Sequence, residues 1–205
     1  MARDTHSIVK MSRREGYALH PKAHKALVKR PTKPGQHGNN MRLGKQSQYA
    51  LQLREKQKVK RLYGLLERQF SNLMKEADRK QGQSGTVLLQ LLEQRLDNAV
   101  YRAGFAPSRR AARQLVTHGH FTMNGTRVDI PSIRLKAGDV IVARDHSKNT
   151  EYFKKLDDVS PAPSTIPSWL KVNRKKFELQ VSGLPGRDDA EPDINEQLIV
   201  EYYSR

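Results

Sequence analysis

An α+β fold is predicted, from three observations. Apolar residues recur at helical spacing through residues 47–80 and again through 86–104. A hairpin signal centred on Asn124-Gly125 and a short buried strand, Val140-Ile141-Val142, follow them. Cationic charge is concentrated at the N-terminal end: residues 1–61 carry sixteen Lys/Arg against three Asp/Glu. The expected architecture is a mainly helical N-terminal domain, an inserted small domain of two helices on a small antiparallel sheet, and a returning C-terminal tail. The expected boundaries are 1–45 for a basic arm, 46–94 for the helical domain, 95–157 for the small α+β domain and 158–205 for linker and tail.

Residues 1–45 are polar, basic and interrupted by Pro21, Pro31, Pro34, Gly35, Gly38 and Gly44, which break any long helix. Cations without apolar partners repel one another, so the arm is expected to be poorly ordered alone and to order on a polyanion. From Ser47, a suitable N-cap, the helix pattern runs through Tyr49, Leu53, Leu62, Leu65, Leu66, Phe70, Leu73 and Met74, with a pause near Gly64 and an end at Gly82-Gln83-Ser84-Gly85. A second helix, capped by Thr86, aligns Leu89, Leu92, Leu96, Ala99, Val100 and Ala103 in one stripe and ends near Gly104. A third starts at Ser108 behind Pro107, turns Ala111, Ala112 and Leu115 inward, and stops at His118-Gly119. Gly138-Asp139 marks a turn, with Asp139 in a turn role. Residues 157–168, with three prolines, read as a linker. Gln197 to Tyr203 is apolar enough to dock as a strand or short helix.

The net charge of +17 on 205 residues points to a polyanionic partner. The absence of cysteine excludes disulfides and Cys-ligated zinc. Charges at Arg3, Asp4, Lys10, Arg13, Arg14 and Glu15 leave no apolar core for a signal peptide, and no stretch reaches membrane-spanning length. No membrane partner is expected. His6, His20, His24 and His37 have no carboxylate or cysteine at ligand spacing, so no metal is expected. No phosphate-binding glycine loop, Ser/His/Asp set or carboxylate pair suits catalysis, and no cofactor is implied. Binding is the expected activity.

The strongest candidate group is Arg95 and Arg102 on one helix beside Arg109, Arg110 and Arg113 on the next. Guanidinium forks match phosphate oxygens in two-point contacts, and structured RNA is recognised largely by shape, phosphates and 2′-hydroxyls. Ser108, Gln114, His118, His120 and Asn124 add polar groups. Tyr101 and Phe121 could stack on bases, although Phe121 reads as core. Asp97 reads as a structural acceptor. In the first long helix Arg54, Lys56, Lys58 and Arg61, with Lys60, face one acid, Glu55; any one of them alone would read as a solvated face. The arm adds Arg3, Arg13, Arg14, His37, Arg42 and Lys45.

The residues Arg95-Leu96-Asp97-Asn98, Ser108-Arg109, Ala112-Arg113-Gln114-Leu115-Val116, His118-Gly119-His120, Asn124-Gly125, Pro131 and Gly138-Asp139 resemble the small RNA-binding domain first described in small-subunit ribosomal protein four. Some tRNA synthetases, pseudouridine synthases and heat-shock RNA binders share that domain. The flanks narrow the resemblance. Ser12-Arg13-Arg14-Glu15-Gly16, Pro34-Gly35-Gln36-His37-Gly38, the run from Leu51 to Val59, Leu88-Leu89-Gln90-Leu91-Leu92-Glu93, Pro167-Ser168-Trp169-Leu170 and Ile194 to Glu201 are similar to the bacterial family of that ribosomal protein. The resemblance implies a primary binder of small-subunit ribosomal RNA that clasps a multi-helix junction of the 5′ domain early in assembly. It further implies a position near the mRNA entrance beside ribosomal proteins three and five, and in some members repression of the protein's own mRNA.

Two departures matter. Zinc-binding members carry Cys-x-x-Cys before Arg-Arg-Glu-Gly; Val9 and Ser12 stand there, so the arm is expected to be held by RNA contacts. Asn39 and Asn40 follow Gly35-Gln36-His37-Gly38 where members often carry basic residues, which weakens the expectation of mRNA handling. The rival readings are a free RNA-binding translational regulator, which shares the binding face, and an RNA-modifying enzyme, which needs a catalytic domain that these basic, interrupted flanks do not supply.

Overall fold

The computed structural model describes residues 4–38, 46–163 and 165–204; Arg3, Asn39, Asn40, Arg42 and Lys45 lie outside them. Two compact units emerge, one of residues 1–88 with 193–205 and one of residues 89–192.

In the first unit the described part of the arm contains two helices, α1 (Ile8–Glu15) and α2 (Pro21–Lys29), where the sequence reading expected an arm poorly ordered by itself. Gly16, at φ 66°, ends α1 in the left-handed conformation, and Pro21 starts α2 at a position where its missing N–H costs nothing. Met11, Leu19 and Ala23 are buried. Ser12, one of the two residues that stand in place of the cysteines the resemblance implies for zinc, is fully buried. Its hydroxyl donates to the Ile8 carbonyl at 2.8 Å and accepts the Leu19 amide at 3.3 Å. Arg13 Nε donates to the Thr32 carbonyl at 3.0 Å. Protein contacts therefore close this region locally.

Helix α3 (Gln48–Leu62) is capped by the Ser47 hydroxyl, which accepts from the Ala50 amide, and Gly64 at φ 67° turns the chain into α4 (Glu67–Arg79). Helix α4 buries Phe70, Leu73, Met74 and Ala77. The C-terminal residues Glu196–Tyr203 form a helix, α11, that packs along α3. Its start is held by the Asn195 amide donating to Glu55 Oε1 at 2.9 Å, and its middle by Gln52 Nε2 donating to Glu201 Oε2 at 2.8 Å.

Helix α5 (Ser84–Glu93) starts two residues ahead of the expected cap, so Thr86 sits in its first turn. The continuous helix expected over 86–104 is broken. Arg95 takes extended backbone (φ −66°, ψ 137°) and caps a separate α6 (Leu96–Arg102). The break has a tertiary cause: Leu135 N donates to the Gln94 carbonyl at 2.9 Å, and Leu96 N to the Ile133 carbonyl at 2.9 Å. These bonds to a distant loop take the place of helical ones at the break. Gly104, at φ 75°, ends α6; α7 (Arg109–Thr117) follows with Ser108 as its N-cap, accepting from the Ala111 amide.

The sheet is antiparallel, ordered β2-β1-β3-β5-β4, from β1 (Phe121–Met123), β2 (Thr126–Val128), β3 (Val140–Ala143), β4 (Leu170–Asn173) and β5 (Glu178–Val181). Asn124 and Gly125, at φ 50° and 82°, make the expected tight turn between β1 and β2. The second hairpin, β4–β5, lies in the stretch assigned to linker and tail. Three single-turn helices, α8 (Asp145–Lys148), α9 (Glu151–Lys154) and α10 (Leu156–Val159), connect β3 to the proline-rich stretch. The core of this unit joins the apolar sides of α6 and α7 to Phe121, Ile141, Leu179 and Val181 of the sheet, with Phe105 and Phe153 between.

Candidate nucleic-acid interface

Helices α6 and α7 pack on each other and bring together four of the five arginines singled out in the sequence, through a network of carboxylates. Arg95 forks onto Asp97, with Nε to Oδ1 at 3.0 Å and Nη2 to Oδ2 at 2.8 Å. Arg113 reaches the same Oδ2 at 3.5 Å. Glu93, whose side chain is fully buried, receives Arg102 in a second fork at 3.1 and 2.9 Å and Asn98 Nδ2 at 2.7 Å. Asn98 Oδ1 in turn accepts Arg109 Nε at 2.8 Å. The other arm of Arg109 meets Glu191 Oε1 at 2.9 Å, and its guanidinium lies 4.6 Å from the Tyr101 ring centre. Tyr101 thus offers its face to an arginine.

This network orients Arg95 and Arg102 in two-point forks and holds Arg109 between Asn98 and Glu191 before any ligand arrives. A buried, forked arginine has lost its rotamer freedom on folding, so presenting it to a phosphate costs little further entropy. The side chains of Arg102, Arg109 and Arg113 keep 18%, 11% and 13% of their surface. Arg95 keeps only 7% and belongs to the scaffold more than to the surface. Arg110, Gln114 and His118 are exposed. Ser108 is buried as the α7 cap.

Asp97 has the structural acceptor role expected of it. Glu93 and Glu191 were not singled out in the sequence. Glu93 carries a usable signal: an acid directly after a run of leucines in an apolar helix must be paired if buried. Glu191 gives none, because it reaches Arg109 from 82 residues away. Burial pushes the Glu191 carboxyl up, but the charges of Arg109 and Arg102 outweigh it and hold the group below the ordinary carboxylate value.

The remaining candidates fall elsewhere. His120 Nδ1 lies 3.0 Å from Ser147 Oγ, and burial, followed by the nearby His118, Arg144 and His146, lowers its pKa. Asn124 accepts the Val140 amide and donates to Asp139, each at 2.9 Å, which ties the hairpin to the Asp139 turn. In the first unit Arg54 and Arg61 converge on the buried Glu15. Lys58 pairs with Glu55 at 2.8 Å. Lys56 is buried, donating to Glu67 Oε1 at 2.7 Å with its ammonium 4.5 Å from the Tyr202 ring centre. Its charge is taken up inside the protein. Arg14 and His37 are exposed, and Arg13 is half-buried. Among the described residues, no three His, Asp or Glu side chains converge as a metal site, and no helix is long and apolar enough to cross a membrane.

Comparison with known proteins agrees with this organisation. Residues 3–93 match the family described as ribosomal protein S4/S9 N-terminal domain, and residues 94–141 match the S4 domain. The small ribosomal subunit protein uS4 of Chlorobium limicola is 51% identical over 206 residues, and that of Roseiflexus castenholzii 49%, each alignment covering all of both chains. The protein uS4A of Clostridium botulinum is 50% identical over 211 residues, again at full coverage. With both family matches in sequence order and half of all positions shared end to end with such relatives, the chain belongs to the uS4 family of small-subunit ribosomal proteins.

Proposed function

We propose that this chain is a structural, non-catalytic constituent of the small ribosomal subunit that binds ribosomal RNA, clasping a multi-helix junction of the 5′ domain and nucleating assembly there. The observation that carries this reading is the α6–α7 arginine set, held in fixed orientations by Glu93, Asp97 and Asn98. Oriented guanidinium groups select phosphates by position, whereas flexible cations attract any phosphate. Arg102, Arg109 and Arg113 contact the RNA backbone directly, with Arg110, Gln114 and His118 beside them. The arm and α3 add long-range attraction through their excess of cations. The same reading puts the protein on cytoplasmic ribosomes, near the mRNA entrance, with ribosomal proteins three and five as neighbours.

The test is equilibrium binding to the isolated 5′ domain RNA, with a junction-disrupted RNA as control, at two salt concentrations. Tight binding that needs the junction and survives moderate salt supports the reading; equal binding to both RNAs overturns junction recognition. In the same titration the folded double variant Arg109→Ala/Arg113→Ala should bind the junction at least about tenfold more weakly, as loss of two charge-assisted contacts implies. Unchanged affinity would exclude the α6–α7 face.

A further inference from the structure

The carboxylates facing the α6–α7 arginines are not equivalent. The Glu93 side chain has no exposed surface and that of Asp97 is 6% exposed, and both lie within or directly before the helix pair. Glu191 is 22% exposed and comes from outside the helix pair, in an irregular stretch after β5. Its Oε1 lies 2.9 Å from Arg109 Nη2 and 3.5 Å from Arg102 Nη2. One anionic oxygen shared between guanidinium groups of two helices is the arrangement a non-bridging phosphate oxygen would make.

We propose that Glu191 holds the place of an RNA phosphate on Arg102 and Arg109 in the free protein and is exchanged for that phosphate on binding. This rests on the reading of α6–α7 as the RNA face. The physical consequence is a threshold for engaging the pair. Any RNA engaging this pair must displace Glu191, so weak, non-specific phosphate contacts are penalised. A junction whose shape places a phosphate at the same point, with further contacts around it, recovers the lost ion pair. Glu93 and Asp97 stay in place and keep Arg102 and Arg113 oriented while Glu191 leaves. Glu191 therefore sets the affinity of the arginine pair for phosphate without itself touching RNA.

The experiment compares Glu191→Gln with the parent chain on the 5′ domain RNA and on the junction-disrupted RNA, each over a salt series, with folding checked by thermal unfolding. Glu191→Asp, which keeps the charge, is the second variant. Expected for Glu191→Gln is several-fold tighter binding to the intact junction, a gain no larger than that on the disrupted RNA, and a steeper salt dependence. In the parent chain the displaced carboxylate leaves a negative charge beside the RNA and lowers the net charge brought to it; the amide does not. The log–log slope should steepen by up to about 0.7–0.9, the contribution of one phosphate contact. Glu191→Asp should keep a slope near that of the parent chain. Unchanged affinities and slope in Glu191→Gln would overturn the exchange. Weaker binding to both RNAs would also overturn it, making Glu191 a support that positions the arginines. If the Arg109→Ala/Arg113→Ala variant loses affinity as expected while Glu191→Gln changes nothing, only the exchange fails. If neither variant changes binding, the RNA face itself is misplaced.

Discussion

Single residues in this protein matter most where a charge is buried. Asp97 receives Arg95 in a fork and Arg113 at longer range, and its Oδ1 also accepts the Asn98 amide at 3.0 Å. Removing it leaves Arg95, with 7% of its side chain exposed, buried without that partner. Asp97→Ala should therefore lower stability by about 3 kcal/mol, the low end of what breaking a buried ion pair costs, read as a shift in urea midpoint; a change within experimental error would mean that Arg95 escapes to water. Titration offers a second check. Burial, then His118, Arg144 and His146, depresses the His120 pKa below its ordinary 6.5. The folded state thus binds a proton at His120 less readily than the unfolded chain. The resulting stability is complete above 6.5 and is lost as pH falls from there through the folded value. Proton NMR should show the His120 ring titrating below 6.5, and a midpoint at or above that value would contradict the packed geometry. Glu67 keeps 48% of its side-chain surface; desolvation raises its pKa, but Lys56, Lys60 and Tyr203 outweigh it and hold the group below its ordinary 4.5. Its contribution disappears only in acid, as pH drops below 4.5.

At the scale of elements, the ends and breaks position the site. Ser108 fixes where α7 begins and so which turn carries Arg109. Ser108→Ala should cost about 1 kcal/mol, the usual value for an N-cap, measured by thermal unfolding; no loss would mean another group caps the helix. The Gly104 turn is more constrained. It has φ 75°, and a Cβ there would fall 2.4 Å from Pro163 Cδ and 2.6 Å from Arg174 Nη1. Its carbonyl accepts Arg174 Nη1 at 2.7 Å and Ser160 Oγ at 3.0 Å. Helix spacing, the Ser47 and Ser108 caps and the Asn124-Gly125 turn were all legible in the sequence, because each depends on residues a few positions apart. The break at Arg95 was not, because its cause is hydrogen bonding to residues 133–135. The β4–β5 hairpin was missed for a related reason. Its turn holds Phe177 at φ 52° rather than a glycine, a conformation costly for a bulky residue. The Phe177 ring packs against Phe153 with centroids 5.4 Å apart, and that compensation lies outside the local pattern.

For the whole molecule, the governing quantity is the distribution of charge. A net +17 with most of the excess in residues 1–61 makes RNA affinity fall steeply with salt, by a log–log slope of roughly 0.7 to 0.9 per phosphate neutralised. The cations do not contribute equally. Lys56 is buried, and Arg54 and Arg61 share Glu15. The measured slope should thus imply far fewer contacts than the 38 Lys/Arg of the chain; a slope matching most of them would mean that the internal ion pairs open on binding. By itself the sequence determined the polyanion-binding character, the α+β class, the Ser47 and Ser108 caps and the first hairpin, since these reside in composition or short-range spacing, while its motifs carried the family resemblance. Only the tertiary structure decided which cations are scaffold and which keep surface, how α1 and α2 are held without cysteine, and that Glu93 and Glu191 face the arginines. Those outcomes depend on which distant residues meet, and a carboxylate 82 positions from its arginine leaves no trace in local sequence.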